Sequence, residues 1–130
     1  MIVLDASVVV ELLTNGSLDD SIRDEIAQSK QTLIVPHLVD IEVLSAIRRL
    51  AAAKRIDSYR CEQLLADLAD LPAERYPHLP LIGRIWDLRR NFTAYDATYI
   101  ALAEAMKAVL YTSDRNLRRG HRASVVVFAR

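Results

Sequence analysis

Four acidic residues, Asp5, Glu42, Asp96 and Asp114, fall where the chain could assemble a site for chemistry. Asp5 directly follows the apolar run Met1–Leu4. Glu42 sits among Leu38, Ile41, Val43 and Leu44, and its helical neighbours Leu38, Ser45 and Ala46 offer it no cation. Asp96 lies three residues after Thr93, and Asp114 lies just past the apolar run Val109–Thr112. Carboxylates gathered in one place raise each other's pKa unless a cation sits among them. An all-oxygen donor set is hard-cation chemistry and points to Mg²⁺ or Mn²⁺. Zinc is disfavoured, because His37, His78, His121 and Cys61 show neither HExxH nor CxxC spacing. One or two hard cations can polarise a phosphodiester, activate a water and stabilise the leaving oxygen.

Such a site needs elements that deliver four separate segments to one rim. Met1–Leu4 is an unbroken, β-branched-rich run, which suits a strand buried on both faces of a parallel sheet. Ligands bind at the carboxyl ends of such strands, where the starts of the following helices also lie. After Asp5, the spacing predicts a short helix over 6–13, closed by Asn15-Gly16. Ser17 with Asp19 and Asp20 signals a second helix to about Gln28. Thr32–Val35 reads as a strand stopped by Pro36, and 37–53 as a helix. Asp57 and Ser58 start the next helix, which carries Leu64, Leu65, Leu68 and Leu71 and ends at Pro72. A short strand over 73–76 precedes a helix from Pro80 to about Arg90, and Thr93 opens another to about Lys107. Val109–Thr112 is a strand, 114–119 a helical turn or two, and Ser124–Phe128 a last strand. Strands alternating with helices imply an α/β fold with a mainly parallel sheet covered on both faces. With no repeat, low-complexity tract or linker, the 130 residues read as one domain, 1–130.

Each acid also has a plain structural use, and the residues alone leave both readings open. Asp5 is a favoured N-cap for the first helix. Thr93-Ala94-Tyr95-Asp96 is a capping-box pattern. Asp114 suits a cap of the short turn and a pair with Arg118 four residues on. Glu42 can face water, and Asp40 reads as solvent-exposed.

Seventeen basic residues balance seventeen acidic ones, so overall charge does not announce a nucleic-acid binder. Local clusters exist, and Arg115, Arg118, Arg119 and Arg122 could either hold backbone phosphates or form a solvated basic surface. The hydrophobic fraction of 52% with 26% charged residues describes a globular chain. One cysteine, a start without a basic n-region and apolar stretches far short of the roughly 20 residues of a membrane span lead to an expected cytoplasmic location. Leu12, Leu13, Leu64, Leu65, Leu68 and Trp86 exceed what a small core obviously needs. They either fill that core or leave a surface for a second copy or a partner helix.

Taken together, Ile2-Val3-Leu4-Asp5-Ala6-Ser7, Pro36 followed by Glu42, Tyr95-Asp96-Ala97 with Ala101-Leu102-Ala103, and Thr112-Ser113-Asp114 resemble the PIN-domain ribonucleases. Within that family the best match is the toxin of the VapBC toxin–antitoxin type, over essentially the whole chain. The resemblance implies a three-layer α/β/α fold and a Mg²⁺- or Mn²⁺-dependent endoribonuclease. By motif position, Asp5, Glu42, Asp96 and Asp114 match the family's acidic quartet. Ser7 and Thr112 match polar positions that would support the metal ligands by hydrogen bonding, and Asn116 falls where some members place another polar group. The resemblance further implies a homodimer, inhibition by a cognate antitoxin protein, and contact with operator DNA only through that antitoxin. One departure is Met106-Lys107-Ala108, which lacks the glycine that often ends the Asp96 helix.

Rival readings fare worse. A haloacid-dehalogenase-like phosphotransferase needs a second Asp where Ser7 stands. A response-regulator receiver needs an acidic pair after the first strand and a lysine after the last. Gly16, Gly83 and Gly120 form no phosphate-cradling loop. The non-enzymatic alternative is a PIN-like module that binds RNA or protein without cutting.

Overall fold

The computed structural model describes residues 1–129. The opening run forms β1 (Ile2–Leu4), buried throughout, and α1 (Ala6–Leu13) follows at once. Asp5 makes that sharp transition by accepting the Val8 N–H, an N-cap that satisfies a donor the helix cannot. Next come α2 (Asp19–Ser29), β2 (Leu33–Pro36), α3 (Leu38–Ala52) and α4 (Ser58–Ala69), the last capped by Asp57. β3 (Glu74–Tyr76) leads through a 3₁₀ turn at Leu79–Leu81 into α5 (Ile82–Asp87). Thr93 caps α6 (Ala94–Met106), and β4 (Val109–Thr112), a 3₁₀ turn (Arg115–Arg118) and β5 (Ser124–Val127) complete the fold.

All strands pair in parallel in the order β3-β2-β1-β4-β5. Right-handed crossovers therefore place α1–α4 on one face and α5–α6 on the other. The packing agrees: α1 meets α2, α3 and α4, while α5 meets α6. This is the expected three-layer α/β/α arrangement, with Val3, Leu4, Ile34 and Leu110 fully buried in its central strands. From β1 the chain proceeds outward to β2 and β3, then returns to the opposite side for β4 and β5. The strand order thus reverses between β1 and β4, and the crevice outside their carboxyl ends is where such sheets bind ligands. No helix among the described residues is long and apolar enough to cross a membrane.

Some local expectations change. α2 begins at Asp19 with Leu18 as its N-cap residue and no side-chain cap, and the Glu11 carboxylate of α1 accepts the Leu18 N–H at 3.2 Å. The single helix expected from Pro80 is a 3₁₀ turn followed by the short α5. Asp40 is not simply solvent-exposed: Arg75 of β3 grips both its oxygens at 2.9 Å and also donates to the Leu68 carbonyl. That one guanidinium ties β3 to α3 and α4. Of the six apolar residues in apparent excess, Leu12, Leu64 and Leu68 are core, whereas Leu65 and Trp86 are 44% and 65% exposed.

Candidate active site

Asp5 stands at the β1–β4 switch point, and its backbone N–H continues the sheet by donating to the Tyr111 carbonyl. Its side chain is only 6% exposed and every contact fixes it. Oδ1 accepts from the Ser7 hydroxyl at 2.6 Å and from the Val8 N–H at 3.0 Å; Oδ2 accepts from the Thr112 hydroxyl. The two supporting hydroxyls are themselves anchored to the β4 exit. Ser7 Oγ accepts the Ser113 N–H at 3.1 Å, and Thr112 Oγ1 accepts the Asp114 N–H at 3.0 Å. A closed network of short polar side chains therefore stitches the ends of β1 and β4 together. Ser7 and Thr112 both donate to Asp5, one to each of its oxygens.

Asp114 caps the 3₁₀ turn by accepting the Asn116 N–H at 2.9 Å. That backbone bond is Asn116's link to the network; its exposed side chain donates to none of the acids. Asp96 is the third residue of α6, and its N–H donates to Thr93 Oγ1 at 3.1 Å. Asp5 and Asp114 thus cap helical turns and remain candidate ligands, since a cap occupies only part of a carboxylate's acceptor capacity, whereas the cap beside Asp96 is Thr93.

Glu42 sits one turn into α3 and finds its partner from far along the chain: the Tyr99 hydroxyl donates to its Oε1 at 2.6 Å. Tyr99 lies on α6 three residues after Asp96 and is 2% exposed. It was absent from the residues singled out in the sequence. The available signal was its i,i+3 relation to Asp96, which places both on one helix face.

The electrostatics link Asp5 to Asp96 and Asp96 to Asp114. Burial raises the Asp5 pKa above its ordinary value against the pull of the Ser7, Thr112 and Val8 donors, and the Asp96 charge raises it further. Asp96 is likewise raised, by burial first and then by the charge of Asp114. Burial, the bond to Glu42 and the charges of Glu42, Asp5 and Asp96 all keep the Tyr99 phenol protonated. Asp5, Asp96 and Asp114 therefore form a chain of mutually repelling groups, and Tyr99 connects Glu42 to it. Among the described residues, no three Asp, Glu, His or Cys side chains form a ready-made cage for a metal ion. Asp5 is thus a buried, immobilised carboxylate that feels the charge of Asp96, which in turn feels that of Asp114.

The arginines divide. Arg115 is exposed and shares a hollow with Ser113, Asp114, Leu18 and Phe128. Arg118 and Arg119 are exposed at the end of the same turn. Arg122 belongs elsewhere. Its backbone N–H donates to Glu104 at 2.8 Å and its guanidinium stands 3.9 Å from the same carboxylate. Glu104 lies in the last turn of α6, the opposite end of that helix from Asp96. Sequence proximity to Asp114 was a poor guide, because Gly120 (φ +97°) turns the chain back before β5.

The PIN domain family model matches residues 2–122. The chain is 44% identical over 117 residues to ribonuclease VapC9 of Mycobacterium tuberculosis, covering 90% of this chain and 88% of that protein. Its fold superposes on VapBC2 of Rickettsia felis, solved with a DNA fragment from its promoter, with a TM-score of 0.70 at 14% identity, covering 97% of this chain and 98% of that one. It also superposes on VapC20 of Mycobacterium tuberculosis, a toxin that cleaves the sarcin–ricin loop, with a TM-score of 0.67 at 17% identity, covering 90% and 92%.

Proposed function

The chain belongs to the PIN-domain family, among its VapC ribonucleases, and from that premise we propose that it is a Mg²⁺- or Mn²⁺-dependent endoribonuclease serving as the toxin of a type II toxin–antitoxin pair. One observation supports this above the others: a buried carboxylate, Asp5, is immobilised at the topological switch point with Asp96 within electrostatic reach. Leaving such a charge in place without a partner is costly, and an oxygen-seeking cation relieves that cost.

The donor set fits the metal in kind, since Asp5, Glu42, Asp96 and Asp114 present only oxygens. Bound there, one or two cations would supply stabilisation of the phosphoryl oxygens and activation of a water. The protein supplies orientation. Ser7 and Thr112 hold Asp5 in one rotamer, and two β4-exit N–H groups hold Ser7 and Thr112. Asp114 is fixed by its cap, and Asp96 by the first turn of α6. Arg115, exposed beside Asp114, with Arg118 and Arg119 beyond it, would meet backbone phosphates flanking the scissile bond. The four carboxylates by themselves repel a polyanion, and bound cations would offset that charge.

The remaining features of this reading follow the family. The whole chain, 1–130, acts as one PIN-like domain in the cytoplasm, forms a homodimer and is blocked by a cognate antitoxin protein. Operator DNA is reached only through that antitoxin. The VapBC2 assembly, a structural neighbour solved with promoter DNA, supports a partner of this kind.

The test is cleavage of total RNA by purified protein with Mg²⁺ or Mn²⁺, with EDTA, and in Asp5→Asn and Asp96→Asn. We expect cleavage that EDTA stops and that both variants lack. Cleavage without metal, or full activity in both variants, would overturn the mechanism. RNA binding without cleavage by antitoxin-free protein would favour a non-catalytic PIN-like binding module.

A further inference from the structure

Glu42 poses a problem for any site that uses it. A glutamate reaches its target through a long, freely rotating side chain, and α3 offers it no helical neighbour of opposite charge. Among the described residues its Oε2 has no hydrogen-bond partner, and its Oε1 has one, the Tyr99 hydroxyl at 2.6 Å. Tyr99 is 2% exposed on α6, one turn after Asp96, and lies within electrostatic reach of both Asp5 and Asp96. The hydroxyl that holds Glu42 is thus carried by the same helix as another acid of the quartet.

We infer that Tyr99 is a positioning residue of the cation site, holding the Glu42 carboxylate in one orientation while leaving one of its oxygens open. The inference rests on the proposed use of the quartet for a divalent cation.

The choice of donor matters physically. A lysine or arginine in this place would hold Glu42 as firmly but would neutralise it, competing with the cation for the same charge. A phenol is a neutral donor: it orders the carboxylate and leaves its negative charge available. Burial of the ring between α6 and its neighbours removes the rotamer freedom that an exposed tyrosine would have. The bond therefore couples the spacing of α3 and α6 to the position of one ligand oxygen, as outer partners of metal ligands commonly do.

The experiment is Mn²⁺ titration by calorimetry of the full chain as wild type, Tyr99→Phe, Glu42→Gln and the double variant, with RNA cleavage followed against Mn²⁺ concentration. Phenylalanine keeps the buried ring and removes one oxygen. We expect Tyr99→Phe to weaken Mn²⁺ binding about tenfold, with cleavage recovering as Mn²⁺ is raised. In the Glu42→Gln background the same substitution should change Mn²⁺ affinity little, because the two residues act through one bond. Unchanged Mn²⁺ affinity in folded Tyr99→Phe, whatever its melting temperature, would overturn the inference and reduce the bond to a tertiary tether. Equal, independent losses in both backgrounds would do the same. Should Tyr99→Phe fail to fold, Glu42→Asp withdraws the carboxylate from the hydroxyl instead. Cleavage by Glu42→Asp that is not recovered at high Mn²⁺ would count against positioning, and recovery would support it. If wild-type protein binds no Mn²⁺ and cuts no RNA, the proposed function fails first.

Discussion

Thr112 and Asp5 come from opposite ends of the chain and meet side chain to side chain, the Thr112 hydroxyl donating to Asp5 Oδ2 with the threonine fully buried. The same hydroxyl oxygen accepts the Asp114 N–H at 3.0 Å, so one small side chain serves two of the four acids. Replacing it with the isosteric valine preserves packing and removes both bonds. Thr112→Val should cost about 1–3 kcal/mol of stability, because it strands a buried carboxylate oxygen and leaves the N–H without its partner. Urea unfolding measures this, and cleavage should fall together with stability. An unchanged midpoint would mean that water replaces the hydroxyl without loss.

Proton linkage supplies a second prediction. Asp5 and Asp96 both carry folded-state pKa values raised by burial and by neighbouring carboxylates. Between the ordinary carboxylate pKa and these raised values, the folded protein keeps protons that the unfolded chain has released. These groups therefore make stability fall as pH rises through that window. Glu104, lowered by the Arg84 pair, contributes the opposite slope at lower pH, so the comparison needs a variant. Metal-free Asp96→Asn should lose part of the downward slope from about pH 4 upward, and Mn²⁺ should reverse that slope in the wild type. Thermal melts across pH would show both, and parallel curves for wild type and variant would contradict the assignment.

Gly16 is required by a close approach. A Cβ built there would lie 1.8 Å from Glu11 Oε2, the oxygen that accepts the Leu18 N–H ahead of α2. Gly16→Ala should push the carboxylate away and cost about 1–2 kcal/mol as that charged hydrogen bond is lost. The effect should vanish in a Glu11→Gly background, which chemical denaturation of the double variant would establish.

Lys107 ends α6 with φ 52° and ψ 41°, the left-handed conformation that glycine adopts most easily. It stands where a glycine often closes this helix in the family, and the backbone has kept the glycine geometry without the glycine. Lys107→Gly should stabilise the fold by about 0.5–1 kcal/mol, with no change in cleavage, since the C-terminus of α6 is remote from Asp96. A lower melting temperature would show that the lysine side chain earns its place through another contact.

Much of this architecture was legible in the sequence because it is encoded locally. Residue types that favour helix starts mark Asp5, Asp57 and Thr93, and each accepts the backbone N–H three residues on. Unbroken apolar runs mark β1, β2 and β4, since a strand covered on both faces has no polar side to show. Local reasoning stumbled where a distant group took over a local duty. Glu11 of α1 bonds the N–H of Leu18 at the start of α2, and Arg75 gave Asp40 a partner that no helical neighbour could. Nor could local reasoning separate Arg122 from the other arginines: it is near Asp114 along the chain and beside Glu104 in space.

By itself, then, the sequence determined that strands alternate with helices and that four acids fall at strand exits and early helix turns. Hydrophobic periodicity and capping act over a few residues, so they can be read without knowing the fold. Only the tertiary structure decided that the strand order reverses between β1 and β4, and that Ser7 and Thr112 lock Asp5 there. It alone joined Glu42 to Tyr99 across 57 positions of chain. The reason is that burial sets the worth of a polar contact: an exposed hydroxyl and carboxylate prefer water, and the same pair enclosed by packed helices must satisfy each other.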